Sequence, residues 1–195
     1  MITTLVSFII GVLSSVLVWL FTTKFSQVKI RFSEELSGNT DPSNESLYHY
    51  NVEVTNVGRR ELIDIHMQAK ISIEGADKKN PGLRCFALLN MDYFCNFPNL
   101  PYKNSRDKLW PCKNSGRLIY ALNMEGAFKE FLKIYYDKDI REKARTKTLQ
   151  LDDIFNTYPN AAVQFYLFGY DAFTGARKMY KSKYYRICDV RFRTH

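Results

Sequence analysis

Most of what marks an enzyme is missing from this sequence. Histidine occurs only three times, at His49, His66 and His195, and these positions lack metal-ligand spacing. The four cysteines, Cys85, Cys95, Cys112 and Cys188, form no CxxC pair and match no common zinc pattern. No metal and no cofactor is therefore expected, and in a reducing cytosol the cysteines are expected as free thiols. GxSxG, P-loop, GxGxxG and HExxH motifs are all absent. That leaves no residue to nominate as nucleophile or general base, so the catalytic set is expected to be empty. Had chemistry been present, Asp92 and Asp107 in the irregular stretch 91–116 would be the place to seek it. Charge is also missing from one segment: Met1–Thr23 has no ionisable side chain.

What fills that segment is Leu, Ile, Val, Phe and Trp. Ile2–Thr22 has 21 residues, roughly 31 Å as a helix, enough for a hydrocarbon core of about 30 Å. A cleaved signal would bring a basic n-region, a shorter apolar run and a small-residue cleavage site. Here no Lys or Arg precedes the run, and it ends Trp19-Leu20-Phe21-Thr22-Thr23. Residues 1–23 are expected to be retained as a single transmembrane helix. Lys24, Lys29 and Arg31 follow it before the first acid, Glu34. Basic flanks favour the cytoplasm, so the N-terminus is expected outside and residues 24–195 in the cytosol, at the cell membrane (the inner membrane in a bacterium). Ser7, Gly11 and Ser15 recur every four residues and share one helix face, the small-xxx-small pattern through which membrane helices associate. A homo-oligomer is the expectation.

Beyond the anchor lie about 170 residues, enough for one domain. The chain carries a net charge of +8. Arg177, Lys178, Lys181, Lys183, Arg186, Arg191 and Arg193 crowd the end of the chain against one acid, Asp189. For a tethered domain, Lys24, Lys29, Arg31, Arg177, Lys178, Lys181 and Lys183 are candidates to touch lipid headgroups or a small anionic ligand. Nucleic acid is a sharper alternative that composition alone does not favour, and a solvated basic face needs no ligand at all.

Alternation predicts strands at 28–32, 48–54, 63–73, 84–90, 118–122 and 163–168, with a return strand at 177–187. Residues 37–46, rich in Ser, Asn, Gly, Asp and Pro, read as a loop. Asp171-Ala172-Phe173-Thr174-Gly175 reads as a hairpin turn. Phe128, Phe131, Leu132 and Tyr135 recur at helical spacing, so one surface helix is expected over about 125–147. The sum predicts a mainly β domain: an immunoglobulin-like β-sandwich with one helical insert, behind a single N-terminal transmembrane helix.

The order of these pieces resembles the cytoplasmic domain of inward-rectifier potassium channels. The residues that carry the likeness are Ile30-Arg31-Phe32-Ser33, the stretch Tyr50–Asn56 with Arg59 and Arg60, and the alternating strand to Ile73. Near the end come Gly169, Asp171, Thr174, Gly175, Tyr184 or Tyr185, Ile187 and Phe192. The resemblance covers residues 24–75 and 150–192 and implies an immunoglobulin-like domain that relays a ligand's presence to a membrane helix. It also implies lipid contact near Lys24, Lys29 and Arg31. The sequence has no second membrane helix, no pore helix and no Thr-Val-Gly-Tyr-Gly filter, so conduction of potassium is not implied. In architecture the chain resembles small membrane-anchored effectors of bacterial anti-phage systems. Two functions follow as expectations: a non-enzymatic effector that senses a ligand or protein and perturbs the membrane, or an anchored scaffold in a membrane complex.

Overall fold

The computed structural model of the chain describes residues 2–22, 27–41, 44–77, 82, 84–93, 100, 117–122, 124–133 and 136–192. The chain is mainly β, with two sheets and an N-terminal apolar helix. That helix, α1, spans Ile2–Leu20 and closes in a wider turn at Phe21–Thr22. It is long and apolar enough to cross a membrane, and none of Thr3–Leu20 is buried against the rest of the protein. Its apolar side chains therefore need a bilayer or other helices for cover, because each large one left in water forgoes about 1.5–3 kcal/mol.

The first sheet contains β1 (Ile30–Phe32), β2 (Leu36–Asp41), β3 (Asn44–Asn56), β6 (Asp92–Tyr93), β7 (Arg117–Leu122) and β10 (Val190–Phe192). Its order is β10-β2-β3-β7-β6, and β1 lies beside β3 in line with β2. The second sheet contains β4 (Leu62–Glu74), β5 (Arg84–Asn90), β8 (Ala162–Asp171) and β9 (Arg177–Tyr185), ordered β5-β4-β8-β9. Every described pairing is antiparallel except β10 on β2. The chain crosses between sheets at β3–β4, again before β6, at β7–β8 and at β9–β10. One apolar cluster is shared by both sheets: Tyr50, Val52, Val54, Tyr120 and Leu122 from the first, and Met67, Ala69, Ile71, Phe165, Leu167 and Tyr185 from the second. The alternation that predicted β4 is what buries it, since Met67, Ala69, Ile71 and Ile73 face inward while His66 and Glu74 face solvent.

Two expectations are corrected. Residues 37–46 are not simply a loop, because Leu36–Asp41 and Asn44–Asn56 pair antiparallel from Ser37↔Asn51 to Asp41↔Asn44. The ladder is made by backbone groups that every non-proline residue carries, so polar composition does not prevent it. The single helix over 125–147 is instead a 3₁₀ turn at Met124–Ala127, α2 (Phe128–Phe131) and α3 (Lys138–Arg145). The break lies where the Asp137 carboxylate accepts the Asp139 N–H and starts a new helix. A further helix, α4 (Leu151–Thr157), begins with a capping box between Gln150 and Asp153. α3 is a surface helix with one face inward: Ile140 and Ala144 are buried in the common core, with Phe131 of α2 and Leu151 and Ile154 of α4, while Asp139, Glu142, Lys143 and Arg145 are exposed.

Candidate functional site: the junction of helix and β-domain

The strand directions bring two turns to the end of the β-domain where α1 finishes. The β3–β4 turn, residues 57–61, is fixed from within by Asn56, which is fully buried. Its Nδ2 donates to the Arg60 carbonyl at 2.7 Å and to the Leu100 carbonyl at 3.2 Å, and its Oδ1 accepts the Gly58 N–H at 3.0 Å. The β8–β9 turn is fixed by Asp171, whose Oδ1 accepts the N–H groups of Phe173 at 3.0 Å and Thr174 at 3.1 Å. Gly175 closes that turn at φ +66, the left-handed region that glycine enters without penalty. The two turns are stitched together where Ala172 N–H donates to the Glu61 carbonyl at 3.1 Å.

Arg60 joins these pieces to α1. Only 9% of its side chain is exposed, yet it reaches three groups. One guanidinium nitrogen donates to the Thr22 carbonyl in the last turn of α1. Another lies 3.6 Å from the Asp171 carboxylate, itself 5% exposed. The guanidinium also sits 4.2 Å from the centre of the Phe173 ring. Helices end with unpaired carbonyls and a partial negative charge, so a buried arginine there meets both needs. A buried charge is tolerated only when paired and hydrogen-bonded, and Asp171 supplies the pair. Phe173 is 70% exposed, an aromatic side chain at the tip of a turn beside the end of an apolar helix.

The segment linking α1 to β1 is gripped on both sides. Arg59 N–H donates to the Gln27 carbonyl at 3.0 Å, and Val57 N–H donates to the Lys29 carbonyl at 2.8 Å. Gly58 sits so close that a Cβ there would lie 2.3 Å from the Gln27 oxygen and 2.4 Å from the Lys29 nitrogen. From the other sheet, Tyr180 Oη donates to the Val28 carbonyl at 3.2 Å and Tyr185 Oη to the Ser33 carbonyl at 2.5 Å. Burial, with Asp171 nearby, pushes the Tyr180 phenol up to about 12. Burial likewise pushes the Tyr185 phenol up to about 12.

The residues nominated from the sequence are distributed around this junction. Ser7, Gly11 and Ser15 are exposed on α1, where Ser15 Oγ donates to the Gly11 carbonyl at 2.9 Å and a Cβ at Gly11 would meet nothing within 4 Å. Lys24 lies outside the described residues. Lys29 and Arg31 are exposed beside β3, on the first sheet. Arg177 and Lys178 begin β9, just past the turn that holds Phe173. Lys181 lies further along β9, and Lys183 is held by Asp189 at 2.7 Å. That hydrogen bond raises the Lys183 ammonium above its ordinary range. Burial works to raise the Asp189 carboxyl, but the Lys183 partner and the Arg186 N–H bring it below the ordinary range.

Among the residues outside the junction, Asp92 lies in β6 opposite Ala121, whereas Asp107 lies outside the described residues. Cys85 and Cys188 are free thiols; Cys95 and Cys112 lie outside the described residues. Among the described residues, no group of three or more His, Cys, Asp or Glu is placed to hold a metal ion.

Sequence reasoning quoted Asn56, Arg60 and Asp171 as marks of a resemblance and missed them as a site. The available signal was their setting, Asn-Val-Gly-Arg-Arg on one side and Asp-Ala-Phe-Thr-Gly on the other, two turn sequences rich in charge and far apart in the chain. No protein-family model matches this chain, and no curated protein matches it.

Proposed function

We propose that this chain is a non-enzymatic, single-span protein of the cell membrane whose β-domain responds to a ligand or protein and whose helix self-associates to perturb the bilayer. In this reading the N-terminus is outside and the β-domain is cytoplasmic; in a bacterium the membrane is the inner one, and the chain acts as an anti-phage effector. One observation carries it. An apolar helix with no protein cover ends on a buried arginine that is shared by two turns of the β-domain. A change in those turns therefore has a direct physical route to the helix.

Three further observations support parts of the reading. The strand orders β2-β3-β7-β6 and β5-β4-β8-β9 support an immunoglobulin-like sandwich, in which these strands would stand for A, B, E, D and C′, C, F, G, with α2–α4 in the E–F connection. The exposed face of Ser7, Gly11 and Ser15 supports helix pairing. Phe173 is exposed over Arg60 at the helix end, Lys29 and Arg31 are exposed on the chain that follows α1, and Arg177 and Lys178 follow the Phe173 turn; an aromatic and cations are the residues that favour an interface.

The test is expression in bacteria with a membrane-potential dye, comparing wild type, Gly11→Leu and a form beginning at residue 24. Depolarisation by wild type alone is the expected outcome. Depolarisation by Gly11→Leu equal to wild type removes self-association through this face. Absence of depolarisation in every form leaves an anchored scaffold or an effector awaiting its trigger, which a pull-down for the partner then separates.

A further inference from the structure

The outer face of the second sheet is built differently from an ordinary solvated surface. It carries aromatic rings, and each of three rings has a cation resting on it. Lys70 Nζ lies 3.8 Å from the Phe86 ring centre, Lys181 Nζ lies 5.8 Å from Tyr166, and the Arg177 guanidinium lies 5.7 Å from Phe168. Strand register puts all six side chains on one face. Phe86 pairs with Ser72 two positions beyond Lys70, Tyr166 pairs with Lys181, and Phe168 lies two residues further along β8. The inward residues of β8 alternate with them and are fully buried: Val163, Phe165 and Leu167. Among the described residues, no carboxylate pairs with Lys70, Arg177 or Lys181.

We infer that this face binds single-stranded nucleic acid, with bases stacked on Tyr166, Phe168 and Phe86 and phosphates held by Lys70, Arg177 and Lys181. Rings with cations between them are the two parts such a site needs: every base offers a π-face, and the backbone brings one negative charge per nucleotide. Successive same-face positions on a strand are about 6.8 Å apart, roughly twice the 3.4 Å rise of stacked bases. Neighbouring rings thus take separate, splayed bases rather than a duplex. In the free protein the cations occupy the ring faces; an arriving base displaces a flexible side chain from the ring to the adjacent phosphate.

Two other occupants fit less well. A second copy docked face to face would set like charges opposite each other. A bilayer meets only the end of this face, because β8 reaches the helix junction only at Asp171 and Phe86, level with Ala162 at its other end, lies roughly 30 Å along the strands from it, several Debye lengths at physiological salt. The inference deepens the proposed ligand response and rests on that reading for its consequence in the cell, but binding is measured without it.

The experiment is fluorescence anisotropy with the full chain in detergent, using labelled oligothymidylate and oligouridylate of about 12 nucleotides. The competitors are ATP, inorganic polyphosphate and phosphatidylglycerol vesicles. Both oligonucleotides are expected to bind, with a log–log salt slope near −2 for three phosphate contacts. Tyr166→Ala and Phe168→Ala should each weaken binding about 5- to 150-fold, whereas Tyr166→Phe, which keeps the ring, should stay near wild type. The Arg177→Gln, Lys181→Gln double variant should flatten the slope by about 1.4. Thermal melting of each variant checks that it is folded. Competition by ATP as effective as by an oligonucleotide would assign the face to a single nucleotide and overturn a strand-binding site. Equal competition by polyphosphate or vesicles, with no effect of the ring variants, would reduce the face to a basic patch. No binding by wild type would remove the site. If wild type depolarises cells but binds no oligonucleotide, the site fails and the effector reading survives. If it binds but never depolarises, the reverse holds.

Discussion

The two ends of the β-domain are held by different forces. At the end that meets α1, turns are fixed by buried polar side chains with defined partners: Asn56 on two carbonyls and an N–H, Asp171 on two N–H groups, and Arg60 between Asp171 and the helix. At the opposite end, α2, α3 and α4 are packed by apolar volume: Phe131 against Tyr136 with ring centres 5.0 Å apart, and Ile140, Ala144, Leu151 and Ile154 beneath them. Apolar packing is non-directional and tolerates repacking at constant volume, whereas a buried hydrogen-bonded charge tolerates little. At the end that attaches to the helix the geometry of each partner decides what is tolerated, and at the far end the filled volume does.

Substitutions should separate the two ends, in decreasing size of effect. Arg60→Ala leaves Asp171 buried without its counter-ion and should cost about 3–5 kcal/mol, read by denaturant unfolding of the detergent-solubilised chain. Lysine should not rescue it, because one point charge cannot serve the helix carbonyl, the carboxylate and the ring together. At the far end Ile154→Ala should cost about 2–5 kcal/mol, but Ile154→Leu less than about 1.5 kcal/mol. A tolerated Arg60→Lys beside an intolerant Ile154→Leu would invert the comparison.

The phenols sharpen the same contrast. Tyr180→Phe removes one hydrogen bond to the linker and should cost about 1 kcal/mol. Tyr180 and Tyr185 both ionise near 12 in the folded chain, against an ordinary value of 10.0. Between those values the unfolded chain has lost protons that the folded chain keeps, so stability falls as pH rises. Their contribution is fully present below pH 10 and is lost through pH 12, and Tyr180→Phe should flatten that alkaline decline in a pH series of melting curves. Smallest of all, Phe173→Ser removes the ring over the Arg60 guanidinium and should cost about 0.5–1 kcal/mol, and it should weaken docking of the domain end on anionic vesicles.

How much of this was legible in the sequence varies with the kind of force. The apolar helix was readable because Ile2–Thr22 has no charge to interrupt it. β4 and β8 were readable because one face of each is buried, which imposes alternation on the sequence. β2 was not, since Ser37-Gly38-Asn39-Thr40 shows no apolar alternation, and the backbone ladder it joins needs none. The three residues of β10 are too few to show a period. α4 did carry a signal, Leu151, Ile154 and Phe155 at helical spacing, but seven residues ahead of Pro159 read equally well as extended chain. The break between α2 and α3 rests on one side chain, Asp137, whose capping role depends on its backbone. The junction was the least legible part. Asn56, Arg60 and Asp171 each stand inside an ordinary turn sequence, and only the fold shows that the two turns share one buried charge pair beside the helix end.

If the β-domain acts on the membrane through this junction, Arg60→Met should break the link. With membrane insertion verified by fractionation and a folded β-domain by protease resistance, this variant is expected to leave the membrane potential intact in cells that wild type depolarises. Depolarisation equal to wild type would contradict that link, and would mean that the helix acts without instruction from the domain it carries.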